Sequence, residues 1–130
     1  LSVTVDDEDG SRLRSGEPVA DMPADGAAAV LANCSAPEAM AAALEALKGF
    51  GLPFGAYANG FREITKEFLK DAPTVAALAA RPEMTPARYA DFVMGWVEQG
   101  ATIVGGCCET TPAHIAEIAR RLRAQGVAIE

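Results

Sequence analysis

Three cysteines carry the clearest chemistry in this 130-residue chain: Cys34, Cys107 and Cys108. An odd count with two of them adjacent fits paired structural disulfides poorly and fits a thiol or metal site better. Each falls where a strand pattern ends, Cys34 after Ala28–Ala32 and the pair after Ala101–Val104 and Gly105-Gly106. In barrel and doubly wound folds the loops leaving those strand ends converge on the active site. Three thiolates gathered there match a zinc site with three protein ligands and one open tetrahedral position, the arrangement of a catalytic centre. Gly105 and Gly106 would let the backbone turn tightly enough for adjacent side chains to reach one ion.

Charge then sets the reactivity. Three thiolates outweigh a divalent cation, so the site is a weak Lewis acid for water and a good host for one more thiol. A substrate thiol held there loses its proton near neutral pH and can attack an activated methyl group. The expected reaction class is alkyl transfer to sulfur. Two plainer readings stand beside it. A buried cysteine is often an inert small hydrophobe, which bears most on Cys34 taken alone. A redox role for the vicinal pair ranks last, because adjacent cysteines close a strained ring and the chain has no Cys-x-x-Cys.

The elements that must bring the cysteines together alternate between short apolar strands and amphipathic helices. Leu1–Val5 is the first strand, with Val3 and Val5 on one face, followed by an acidic loop and a short helix over Glu17–Ala24 that Pro23 limits. Ala28–Ala32 is the second strand. Ser35-Ala-Pro-Glu38 reads as a capping box for a helix carrying Met40, Leu44 and Leu47 and ending at Gly49. Pro53–Ala58 is the third strand, and 61–81 reads as an irregular connection with one or two helical turns. Thr85-Pro86 starts a helix with Tyr89, Phe92, Val93, Trp96 and Val97 on its buried stripe, and Gly100 stops it. Ala101–Val104 is the fourth strand. Thr111-Pro112 starts the last helix, with Ile115, Ile118 and Leu122 expected inside.

Four βα units of about 30 residues each predict an α/β fold with a parallel sheet. They fit half of a (βα)₈ barrel or a small open sheet, and the pattern alone leaves both open. A hydrophobic fraction of 50% suits a packed core. The net charge of −7 argues against nucleic-acid or anionic-membrane partners. No apolar run approaches a membrane span and no leader pattern opens the chain, so a soluble, cytoplasmic domain is expected.

The run Ile103-Val-Gly-Gly-Cys-Cys-Glu-Thr-Thr-Pro-Ala-His-Ile115 resembles the signature of the homocysteine S-methyltransferase family. Asn33-Cys34 and Ala56-Tyr-Ala-Asn-Gly60 are similar to the ends of that family's sixth and seventh barrel strands, and Leu1–Val5 with Arg14-Ser-Gly-Glu-Pro18 to its fifth strand and loop. The resemblance covers essentially the whole chain. It implies the C-terminal half, about strands 5–8, of a (βα)₈ TIM barrel over residues 1–130. It further implies Zn²⁺ on Cys34, Cys107 and Cys108, and homocysteine as the thiol that becomes methionine. The implied methyl donor is one such as S-methylmethionine or S-adenosylmethionine. Glu109 and the helix-limiting Pro23 depart from the family pattern, and the family's first-strand glycine-rich motif and fourth-strand acid have no counterpart here. The alternative is a non-catalytic zinc- or thiol-binding half-barrel module, and either reading predicts association with itself or with a complementary N-terminal half.

Other candidates weigh less. Asn59, at the third strand's end, is expected to hydrogen-bond a zinc ligand or the substrate. Asn33 is expected to satisfy local backbone groups, His114 to face solvent or support a cap, and Thr111 to cap the last helix. The Trp96 stripe reads as core packing, and the acidic loop Asp6–Asp9 as a solvated turn.

Overall fold

Alternation of side chains along the strands decides which side of the sheet the helices cover. The computed structural model describes residues 1–60 and 83–130, and the irregular connection expected over 61–81 lies outside them. Strands β1 (Ser2–Thr4), β2 (Val30–Asn33), β3 (Phe54–Ala58) and β4 (Ile103–Gly106) form one parallel sheet in the order β1-β2-β3-β4. Val30 pairs with Phe54 and Ala32 with Ala56, and all four are buried. The residues between them, Leu31, Asn33 and Tyr57, are only half-buried, and Ile103 is exposed. One face therefore carries the core and the other is open among the described residues.

The core face is covered by helices α1 (Met40–Lys48) and α2 (Pro86–Glu98), with α3 (Pro112–Ala124) packed on α2 and β4. Met40, Ala43, Leu44 and Leu47 of α1 are fully buried with Val30, Ala32, Ala56 and Ala58. The ring centre of Tyr89 lies 6.0 Å from that of Trp96 and 5.7 Å from that of His114, both pairs near perpendicular. On α2, Tyr89, Ala90, Val93 and Trp96 are buried, whereas Phe92 and Val97 are only partly so. Gly49 and Gly100 follow the ends of α1 and α2 as expected.

Several expectations shift. The stretch 17–24 makes a single 3₁₀ turn, Val19–Asp21, because Pro18 and Pro23 bracket it. The second strand begins at Val30, after the alanine run. The fourth runs Ile103–Gly106, so Gly105 and Gly106 lie within the strand, paired with Tyr57 and Ala58. At the start of the same pairing, Gly55 opposite Ile103 allows the close approach: a Cβ there would run into the Ile103 carbonyl. Ser35 caps no helix. Its fully buried hydroxyl accepts from Val5 N–H at 3.0 Å and lies 2.8 Å from the Val5 carbonyl and 2.9 Å from that of Asn33. The turn Pro37–Ala39 leads into α1 without a side-chain cap. Ile115 is 45% exposed, and His114 takes the inward position instead, next to Ile118 and Leu122.

Candidate metal centre

Cys34 reaches the strand-end rim through a backbone conformation that Cβ-bearing residues seldom adopt, with φ at +50°. The turn that contains it is pinned on several sides. Cys34 N–H donates to the Tyr57 carbonyl, and Asn59 N–H to the Ser35 carbonyl. The Ser35 hydroxyl ties the same turn to Val5. Asp7 accepts from Ala36 N–H at 2.6 Å, and Arg14 donates to the Cys34 carbonyl at 3.3 Å while pairing with Asp7 at 3.2 Å. Asp7 is thus no solvated turn residue, although Asp6 and Asp9 make the local turn contacts expected of one.

Cys107 and Cys108 are presented by the end of β4. Cys107 N–H continues the ladder to the Ala58 carbonyl, and Gly60 N–H donates to the Cys108 carbonyl. The Thr110 hydroxyl folds back onto the Cys107 carbonyl at 2.6 Å, closing the loop against Gly106, where a Cβ would collide with Thr110. Thr111 and His114 then form a capping box for α3, so Thr111 caps as the sequence predicts. His114 supports that cap but is buried, with Nδ1 accepting from Thr111 N–H and Nε2 lying 2.9 Å from the Met84 carbonyl. A single carbonyl acceptor there calls for the Nε2–H tautomer. Behind the loop, the buried Tyr89 hydroxyl accepts from Ala58 N–H and donates to the Gly105 carbonyl at 2.8 Å, joining β3 to β4. Burial pushes the Tyr89 phenol up, so it stays a donor.

The two arms bring all three sulfurs together. Cys34 Sγ lies 3.0 Å from Cys107 Sγ and 3.8 Å from Cys108 Sγ, and the last pair is 3.9 Å apart. Three thiolates at tetrahedral zinc, with bonds near 2.3 Å, stand about 3.8 Å apart. Two separations match that value, and the Cys34–Cys107 pair needs to open by about 0.8 Å to reach it. The donor set also suits a cation on electrostatic grounds. Burial, with Cys107 alongside, pushes the Cys34 thiol up to about 12, and burial raises Cys108 as well. A bound cation would stabilise the thiolates that burial and crowding disfavour, and the displaced protons would pass to solvent.

Asn59 stands between the arms. It is 1% exposed, its backbone bonds to Ser35, and its Oδ1 is buried with no hydrogen-bond partner among the described residues. A buried amide oxygen left without a donor is the mark of an acceptor awaiting one. Asn33, by contrast, serves side chains rather than local backbone: it accepts from the Thr4 hydroxyl and donates to the Tyr57 hydroxyl, which donates to Ser2. That chain of polar groups lies on the open face of the sheet. Sequence reasoning missed Asp7, Arg14, Ser35 and Tyr89. Each acts across 16 or more residues, and no local spacing marks them.

A family profile described as Homocysteine S-methyltransferase matches residues 1–122, spanning both arms and all three cysteines. The chain belongs to the homocysteine S-methyltransferase family. It is similar to the protein named homocysteine S-methyltransferase of Escherichia coli (strain K12), with 34% identity over 93 residues, 68% of this chain and 26% of that protein. It is also similar to methionine synthase of Mycobacterium tuberculosis (strain ATCC 25618 / H37Rv), with 44% identity over 48 residues, 36% of this chain and 4% of that protein. This member of the family therefore spans about a quarter or less of the length of the curated relatives it matches. No solved structure gives a significant match to it.

Proposed function

We propose that this chain is the zinc- and homocysteine-binding half of a methyltransferase that converts the homocysteine thiol to the thioether of methionine. The observation that carries the reading is the convergence of Cys34, Cys107 and Cys108 from separate strand ends to sulfur separations of 3.0–3.9 Å. Those three residues would hold Zn²⁺, which lowers the pKa of a thiol in the remaining position and keeps it nucleophilic at neutral pH. Asn59 supplies a buried acceptor beside the cysteine loops, suited to the substrate's amino group. With the thiol already deprotonated, no general base is required of the chain. The methyl group passes in one in-line displacement from a donor such as S-methylmethionine or S-adenosylmethionine. The new bond to the homocysteine sulfur forms as the donor's bond to carbon breaks.

The sequential strand order, the all-parallel pairing and the single helix-covered face support reading residues 1–130 as the C-terminal half of a (βα)₈ barrel. In that reading the cysteines lie at the barrel's C-terminal mouth. Closure would come from a second copy or from a complementary N-terminal half at the two sheet edges. A second function, a non-catalytic zinc- or thiol-binding module, is favoured by one observation: the open face leaves only one wall of a pocket among the described residues.

The test is zinc content of the purified, reduced chain, with a methyl-transfer assay on homocysteine and S-methylmethionine. One zinc per chain together with methionine formation is the expected result. Zinc without methyl transfer would establish the module instead, and absence of zinc would sink the methyltransferase reading and the zinc-binding form of the module.

A further inference from the structure

We propose that Arg14, held in place by Asp7, is the positioning residue that keeps Cys34 in its left-handed turn and so sets the distance from Cys34 to Cys107. The proposal rests on the metal-centre reading for its purpose but not for its geometry. With φ at +50°, Cys34 sits in a region where a side chain is disfavoured, so the turn persists only if its surroundings hold it. Reversing that backbone would turn the Cys34 carbonyl away and swing Sγ out of reach of β4. Among the described residues, the side chain on the Cys34 carbonyl is Arg14, at 3.3 Å. The same guanidinium nitrogen lies 3.2 Å from Asp7 Oδ2, and the other oxygen of Asp7 accepts from Ala36 N–H at 2.6 Å.

One ion pair therefore grips the turn on both sides of Ser35: the guanidinium takes the Cys34 carbonyl before it and the carboxylate takes the Ala36 amide after it. The side chains of Arg14 and Asp7 are 24% and 12% exposed, so water competes less for this pair than for the Arg12–Asp9 pair on the same loop, at 54% and 53%. The two N–H groups of one terminal nitrogen of Arg14 serve the carbonyl and the carboxylate together.

Two measurements on the full chain test the clamp. In zinc competition against a chelator, Arg14→Gln and Asp7→Asn should each weaken binding about 10- to 100-fold. The double variant should lose less than the sum of the two singles, because each single already breaks the shared Arg14–Asp7 pair. Arg14→Lys should recover only part of the loss. The second measurement needs no metal: in the reduced Cys108→Ser chain, diamide oxidises the Cys34 and Cys107 thiols to a disulfide and is itself reduced to the hydrazine. Arg14→Gln and Asp7→Asn should each slow that closure about tenfold. Should Arg14→Gln fail to fold, Asp7→Asn opens the clamp from its other end. A variant that melts earlier but closes the disulfide at the parent rate would overturn the proposal, as would additive losses in the zinc cycle. If the unaltered chain binds no zinc, the functional reading falls, while the closure rates still decide the clamp.

Discussion

The two arms of the cysteine cluster are built in different ways. Cys107 and Cys108 are held mainly by their immediate neighbourhood, two glycines in β4, the Thr110 hydroxyl on the Cys107 carbonyl and the Thr111–His114 cap that launches α3, with β3 adding backbone bonds at Ala58 and Gly60. Cys34 is held by residues remote in sequence. Its turn takes Val5 through Ser35, Asp7 and Arg14 from the loop after β1, and Tyr57 from β3. The first arm is a motif and the second is an assembly. A local motif forms whenever its own backbone bends correctly, whereas an assembled turn in a disfavoured conformation exists only once the sheet has formed around it. The cysteine cluster is then only as well formed as its less local arm.

The largest effect tests whether both arms are needed. Cys34→Ala and Cys107→Ala should each take bound zinc from one per chain to none detectable by metal analysis, since two thiolates and a solvent-exposed position do not make the three-ligand site. Retention of zinc in Cys34→Ala would show that the local arm suffices and would break the comparison. Substitutions next to the ligands come second. Ser35→Ala leaves the buried Val5 N–H without its acceptor and should cost about 1–3 kcal/mol in denaturant unfolding. Gly106→Ala drives a Cβ into Thr110 and should cost about 1–3 kcal/mol as well, with its damage confined to the loop of Cys107 and Cys108. Cysteine-specific labelling that follows each sulfur separately would sharpen the contrast: Ser35→Ala should expose Cys34 first, and Gly106→Ala the vicinal pair.

Loss of the α3 cap is a smaller perturbation. Thr111→Ala should cost about 1 kcal/mol and leave the surroundings of Cys34 unchanged, as read by hydrogen exchange at its turn. The smallest effect lies at the far side of α3, where Arg120 and Arg121 hold the Glu117 carboxyl down to about 2, from an ordinary 4.5. A carboxyl lowered on folding stabilises the fold above pH 4.5, and that contribution disappears as the pH falls from 4.5 through 2. Glu117→Gln should therefore flatten the acid limb of stability in that window and leave zinc content at neutral pH untouched. A change in metal binding would show that α3 couples to the cysteine loop more tightly than its cap contact suggests.

Legibility followed the same division. The parallel α/β pattern, the order of the elements, the Thr85 and Thr111 helix starts and the three sulfur donors all rest on periodicity or on neighbours a few residues apart, and the sequence displays those directly. Ser35 is governed by a contact that its own segment does not contain. A serine three residues before a glutamate at the start of an apolar run has the form of a capping box, yet its hydroxyl is drawn to Val5, 30 residues away. The same holds of Ile115, because 114 and 115 both fit a helical stripe. Only the Met84 carbonyl facing α3 decides that the histidine turns inward.

What the sequence determined by itself is the chemical inventory and its placement at strand ends. Three cysteines, an asparagine and a pair of glycines can be read from spacing because strands and helices impose fixed periods on the chain. Only the tertiary structure decided that the sulfurs lie within 3.9 Å of one another, that Cys34 occupies a left-handed turn, and that Asn59 Oδ1 is buried with no partner among the described residues. Those facts depend on how strands separated by 20 to 50 residues register against each other. That register is set by the packing of one whole sheet face on its helices, and no single segment contains it.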